Sequence, residues 1–206
     1  MALTRRRRRP LDRSQEHLRD TQLVIIAAEG RQTEHDYFAM FRSTRIQVKV
    51  LSADDQNRSA PEYVLERLRA FRERYQLGAG DSLWLMLDVD RWGSGKLAAV
   101  AREAKSVGFG LAISNPCFEV WLLYHLTADI RDTNRCRDIE QELRRATGHG
   151  YNKSKLKPER FEPHLRAALE RAEAKDPSPR GRWPDRLGSH VYRVIRSLPE
   201  EALPVD

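Results

Sequence analysis

Two short segments decide most of what this 206-residue chain can fold into. "TQLVIIAA" (residues 21–28) and "SLWLML" (residues 82–87) are nearly continuous apolar runs. Runs of this length without polar alternation read as strands buried on both faces. "FGLAIS" (residues 109–114) is a further short run, and "RIQVKVLS" (residues 45–52) alternates with period two, as a more exposed strand does. Helical patterns separate them. Thr33 is placed to cap a helix starting at Glu34, with Asp36 completing a weak capping box and Tyr37, Phe38 and Phe41 facing the core. Pro61 opens a helix with an apolar stripe of Leu65, Leu68 and Phe71 that ends near Gly78. "GSGK" (residues 93–96) leads into a helix reaching about Val107. "NPCFEVWLLYHL" (residues 115–126) reads as a helix with Asn115 as its cap, Pro116 in its first turn, and Phe118, Trp121, Leu122 and His125 on one broad face. A lone His on such a face reads as a hydrogen-bonded core residue.

Strand alternating with helix predicts an α/β fold, with a parallel sheet covered by helices on both faces. The remainder reads as helical over residues 131–146, 161–174 and 189–198, and is expected to pack on the same core. The expected organisation is therefore an Arg-rich disordered tail (1–20), an α/β core (21–126) and a helical C-terminal extension (127–206).

Charge narrows the classes of partner. The formal net charge is +7, and the first twenty residues supply +4 of it. Arg5, Arg6, Arg7, Arg8 and Arg9 form an electrostatic footprint for phosphate, or else a merely solvated tail. The basic N-terminus has no apolar stretch behind it, and no apolar run is long enough to cross a membrane, so a cytoplasmic protein is expected. Cys117 lies in an apolar segment and Cys136 in a charged one, so both are expected as free thiols.

The third strand ends in "DVDRWG". Asp88 and Asp90, two residues apart, project to one face at the C-terminal end of a strand, and Glu29 ends the first strand. Ligand sites of open parallel sheets lie beyond such ends. Carboxylates meeting there repel unless a cation neutralises them, and hard oxygen ligands suit Mg²⁺ or Mn²⁺. An isolated Asp-x-Asp is as readily a turn and cap device. Rival motifs are poor: "GSGK" lacks the upstream Gly and following Ser or Thr of a P-loop, and no zinc spacing or nucleophile elbow occurs.

Taken in order, "EGRQTEHDYF", "DVDRWG" and "SNPCFEVWLLYH" resemble the signature blocks of RloB-like proteins. The first block is carried by Glu29, Gly30, Thr33, Glu34, Tyr37 and Phe38. The third is carried by Ser114, Asn115, Pro116, Phe118, Glu119, Trp121, Leu122 and His125. "YNKS" and "GSHVYRVI" sit where the family carries a Lys and a small-residue segment before its last helix. The resemblance spans about residues 20–198. In this chain Gln32 stands where many relatives carry Lys, and Arg91 follows the Asp pair.

The resemblance implies a Toprim-like fold, shared with primases, type II topoisomerases and OLD-family nucleases, with a four-stranded parallel sheet of order 3-2-1-4 and extra C-terminal helices. It implies that Glu29 is an acid/base or metal ligand and that Asp88 and Asp90 hold Mg²⁺ or Mn²⁺. It also tilts Glu119 towards the site, and makes Lys153, rather than its neighbours Lys155 and Lys157, the residue expected to clamp phosphate. Glu34 is equally readable as a second ligand or as a first-turn helix acid. The expected activity is metal-dependent phosphodiester hydrolysis of RNA, tRNA among the candidates, or of DNA. Arg5–Arg9, Arg91 and Lys153 would contact the nucleic acid. The setting implied is anti-phage defence beside an ABC/AAA-type ATPase. The main rival is a non-catalytic nucleic-acid-binding adaptor of that ATPase. Oligomeric state is open, a homodimer included.

Overall fold

A computed structural model describes residues 21–41, 43–52 and 59–204. The Arg-rich tail with Arg5–Arg9, and most of the polar loop after the second strand, lie outside the described residues. The elements follow the alternation: β1 (Gln22–Ala28), α1 (Thr33–Phe38), β2 (Ile46–Leu51), α2 (Pro61–Arg74), β3 (Ser82–Asp88), α3 (Ser94–Ser106), β4 (Gly110–Asn115) and α4 (Glu119–Leu126). Then come α5 (Cys136–Ala146), α6 (Leu165–Ala174), a two-residue strand β5 (Gly188–Ser189) and α7 (Val191–Arg196). Strands β1 to β4 pair in parallel, and β5 joins β4 antiparallel. A mostly parallel five-stranded sheet flanked by helices is consistent with a Toprim-like α/β fold.

The strand order corrects one expectation. It is β2-β1-β3-β4-β5, not 3-2-1-4, so β1 and β3 are direct neighbours, with Ala27 opposite Leu85 and Ala28 opposite Met86. The physical reason lies in the two kinds of strand pattern. β3 is buried on both faces and needs a neighbour on each side, whereas β2 alternates buried and exposed residues and can sit at the edge. The chain leaves β1 towards β2, then crosses back to the other side of β1 to lay down β3. That reversal opens a crevice beyond the C-terminal ends of β1 and β3, the usual ligand position in such sheets.

Alternation divides the core. Leu23, Ile25, Ala27, Leu83, Leu85 and Leu87 pack under α2 and α3. Val24, Ile26, Ala28 and Met86 face α1 and α4. α4 is buried around its whole circumference, because α5 and α6 cover the side turned away from the sheet. His125 on α4 is 2 % exposed: its Nδ1 lies 3.1 Å from the Trp121 carbonyl and its Nε2 3.1 Å from the Tyr37 hydroxyl. Burial pushes its pKa down to about 3, so it stays neutral, donating from Nδ1 and accepting from Tyr37.

Several local expectations change. Thr33 starts α1 but makes no cap hydrogen bond; its hydroxyl donates to the Lys153 carbonyl (2.7 Å). Asn115 ends β4 and donates to the Pro184 carbonyl, and α4 begins only at Glu119. Pro116 follows a cis bond, and its carbonyl accepts from the Val89 and Asp90 amides, tying the loop after β3 to the loop after β4. Residues 131–135 are not helical, two 3₁₀ turns precede α6, and the small-residue segment expected as a helix start supplies β5, where Ser189 and Ser114 share a hydrogen bond. The two cysteines are joined, Cys117 to Cys136, because the residues just before α4 and at the start of α5 meet with Cα atoms 5.6 Å apart. Among the described residues no helix is long and apolar enough to cross a membrane.

Gly110 lies opposite Trp84 on β3, and a Cβ there would overlap the indole ring. Gly110→Ala is expected to cost about 1–3 kcal/mol by overpacking. Gly95→Ala, at an open position in α3, is expected to stabilise by about 0.5 kcal/mol. Urea unfolding midpoints of the two variants check this pair.

Candidate active site

The β1/β3 crevice is a cleft of about 400 Å³ whose lining includes Glu29, Glu34, Asp88 and Glu119 together with Arg31, Arg91 and Lys153. Six of the residues singled out on sequence grounds for catalysis or phosphate contact, Glu34 among them, therefore share it. They arrive from different elements. Glu29 follows β1, with its amide held by the Met86 carbonyl at 3.2 Å. Asp88 is the last residue of β3, Glu34 the second of α1, and Glu119 the first of α4. Lys153 comes from the loop between α5 and α6.

Each buried acid is held by identifiable donors. Glu29, 4 % exposed, accepts from the Trp92 indole (3.0 Å), the Asp88 amide (3.3 Å) and Arg91 (3.3 Å). Burial raises its pKa, while Trp92, the Asp88 amide and Arg91 pull it back. Glu34 folds its carboxylate over Gly30 and accepts from that amide at 3.2 Å. A Cβ on residue 30 would collide with this carboxylate, which explains the Gly after Glu29. Burial, assisted by the charge of Glu119, pushes the Glu34 pKa up to about 7. Glu119 accepts from the Tyr151 hydroxyl (2.9 Å) and from Lys153 Nζ (2.8 Å). Lys153 also reaches Glu140 at 3.1 Å. Burial disfavours the Lys153 ammonium, but Glu119 and Glu140 outweigh it and hold the group charged above its ordinary pKa.

Asp88 differs. Burial, then the charges of Glu29, Glu119, Glu34 and Asp90, all push its pKa well above the carboxylate range. Among the described residues its carboxylate takes no hydrogen bond or ion pair. Asp90 lies on the same side, since Val89 between them packs with the opposite core. It is exposed beyond the strand end and does not line the cleft; its charge is felt with those of Arg91, Lys153, Glu119 and Glu140. The structure thus places the Asp pair as one inner and one rim carboxylate. The inner donor set is all carboxylate oxygen, and among the described residues one member, Asp88, takes no hydrogen bond or ion pair, which fits a hard divalent cation such as Mg²⁺ or Mn²⁺.

Sequence reasoning did not reach three residues that build this site: Trp92 orients Glu29, and Tyr151 and Glu140 flank the Glu119–Lys153 pair. Thr33, read from the sequence as a helix cap, instead anchors the Lys153 loop to the start of α1. Trp92 stands two residues beyond Asp90, and Tyr151 two before Lys153. An aromatic with a polar tip beside each such residue was the available signal. Arg91 bridges back to Glu29 with its side chain still 57 % exposed, and the Lys153 side chain is 47 % exposed, so both keep a face towards solvent.

No curated protein and no solved structure matches the chain. A family model, that of RloB-like protein, matches residues 24–198, which runs from within β1 past the end of α7 and takes in every residue of the cleft. On that match, the chain belongs to the RloB-like protein family.

Proposed function

We propose that the cleft is the active site of a metal-dependent nuclease that hydrolyses phosphodiester bonds of RNA or DNA. One observation carries this reading. Glu29, Glu34, Asp88 and Glu119 converge at the switch point of the sheet, with partly exposed Arg91 and Lys153 beside them. Glu29 and Asp88 would hold the cation, with Asp90 on its solvent side. The chemistry supplied by bound Mg²⁺ or Mn²⁺ would be polarisation of a phosphoryl oxygen and a lowered pKa for a ligated water.

The chain's own residues supply the rest. Arg91, Trp92 and the Asp88 amide fix the direction of the Glu29 carboxylate, as a ligand or general base requires. Arg91 and Lys153 offer guanidinium and ammonium donors to a phosphodiester and to the charge it develops on attack. Glu119 and Glu140 keep Lys153 protonated in that role. The resemblance to defence-associated relatives supports RNA, tRNA included, as substrate and an ABC/AAA-type ATPase as partner. It equally supports DNA as substrate.

The test is cleavage of tRNA and of DNA by the full chain, with and without a co-encoded ATPase, in Mg²⁺ or Mn²⁺. Glu29→Ala and Asp88→Ala are expected to lose about 100-fold or more in rate, and Trp92→Phe, which removes one hydrogen bond to Glu29, about 10-fold. Equal cutting by wild type and the two Ala variants, or none by wild type with its partner, would refute the nuclease. Nucleic-acid binding that survives both substitutions without cutting would favour a non-catalytic adaptor.

Glu34 also makes stability depend on pH. Its folded pKa of about 7 exceeds the reference value of 4.5. Below pH 4.5 both states are protonated. Between 4.5 and 7 the unfolded chain ionises first and folding stability falls, and above 7 the full cost is present. Glu34→Gln keeps an acceptor for the Gly30 amide without the charge. In metal-free buffer it is expected to be more stable than wild type by about 3 kcal/mol at pH 8 and equal to it at pH 4. Thermal melts at the two pH values, repeated with Mg²⁺, check this; Mg²⁺ at pH 8 should raise the wild-type midpoint more than the variant's.

A further inference from the structure

Behind the cleft lies a second group whose two cysteines the hydrolytic reading leaves unused. The sulfurs of Cys117 and Cys136 and a carboxylate oxygen of Glu119 lie within 4.8 Å of one another. Cys136 Sγ is 3.5 Å from Glu119 Oε2 and 3.7 Å from Glu140 Oε1. Cys117 and Glu119 are each 1 % exposed, whereas Cys136 is only partly covered, which leaves a route in from solvent. Glu119 divides its two oxygens. Oε1 takes the Tyr151 hydroxyl and Lys153, while Oε2 faces the sulfur. Metal-ligating carboxylates are characteristically supported in this way by hydrogen bonds to the other oxygen.

We propose that the reduced protein carries a zinc-type site here, with Cys117 Sγ, Cys136 Sγ and Glu119 Oε2 as ligands and Glu140 as the neighbouring fourth donor. The disulfide and the metal are alternative states of the same residues. A dithiol reductant gives two electrons and two protons to the S–S bond and is itself oxidised to a disulfide. Zn²⁺ then binds the two cysteines as thiolates and releases two protons to solvent. Two thiolates with one or two carboxylates at tetrahedral number suit Zn²⁺ and not Mg²⁺ or Ca²⁺. The site is therefore chemically distinct from the all-oxygen cleft, although the two share Glu119. The 19-residue separation of the cysteines hides the site from any reading by local spacing. The proposal goes beyond the nuclease reading and does not rest on it.

Cobalt(II) is the probe. The full chain, reduced with a phosphine under argon, is titrated with Co²⁺ and then with Zn²⁺. The expected result is a thiolate-to-cobalt charge-transfer band that saturates at one equivalent, disappears as Zn²⁺ is added, and is missing from the oxidised protein. Cys117→Ser and Cys136→Ser should lose the band, and Glu119→Gln should weaken Co²⁺ binding about 10-fold or more. Glu119→Gln keeps both cysteines, so a wild-type melt of its oxidised form shows that the fold is intact. Asp88→Asn should keep the band. No charge-transfer band in the reduced wild type, a band that survives either Ser substitution, or its loss in Asp88→Asn, would each overturn the proposal.

Discussion

Burying a carboxylate costs several kcal/mol unless the charge is paired or the group takes up a proton. This chain brings the buried Glu29, Glu34 and Glu119 within electrostatic reach of Asp88, and much of the surrounding structure answers that cost. Arg91 and Trp92 curl back from the end of β3 onto Glu29. The loop between α5 and α6 delivers Tyr151 and Lys153 to Glu119. Gly30 lacks a side chain so that Glu34 can reach a backbone amide. Asp88 alone of the four has no such partner among the described residues. The repulsion is relieved at three points and left standing at one, and the one left is where a cation arriving from solvent would gain most.

The strands that frame the cleft were legible because burial on both faces writes itself as an unbroken apolar run, as in residues 21–28 and 82–87. Their adjacency was not legible. Pairing order is a non-local property, and the resemblance implied an order that would have put β2 between the two acidic strands. The alternation in Ile46–Leu51 nevertheless held the relevant information, since a half-exposed strand belongs at an edge. Glu29 and Asp88 could be named because motif order and strand-end logic both pointed at them; Glu119 rested on motif order alone, and Glu34 was equally readable as a first-turn helix acid. Trp92, Tyr151 and Glu140 could not, because the first two act by touching Glu29 and Glu119, and the third by touching Lys153, across 13 to 63 residues of chain, and no local pattern records such a contact. The Cys117–Cys136 contact was lost for the same reason. One cysteine sits in an apolar context and the other in a charged one, and only the packing of α5 against α4 brings them together.

The C-terminal segment is part of the site rather than an appendage to it. α4 is apolar on every side, so a core ending at Leu126 would expose the face that Ile139, Leu143, Ala168 and Leu169 now cover. The same truncation would strip Glu119 of Tyr151 and Lys153 and leave a carboxylate facing Asp88 without compensation. Packing and electrostatics thus make one demand. The helices that keep α4 dry also bring the hydroxyl and the ammonium that make Glu119 tolerable at its N-terminus. Thr33 closes the circuit from the other direction, because its bond to the Lys153 carbonyl ties that loop to the α1 turn bearing Glu34. A shift of the α5–α6 loop would therefore be felt at once by Glu34, Glu119 and Lys153, while Glu29 and Asp88, anchored to the sheet, would stay in place. The cleft thus has one wall made by β1 and β3 and another made by the loop, held in place through Tyr151, Lys153 and Thr33.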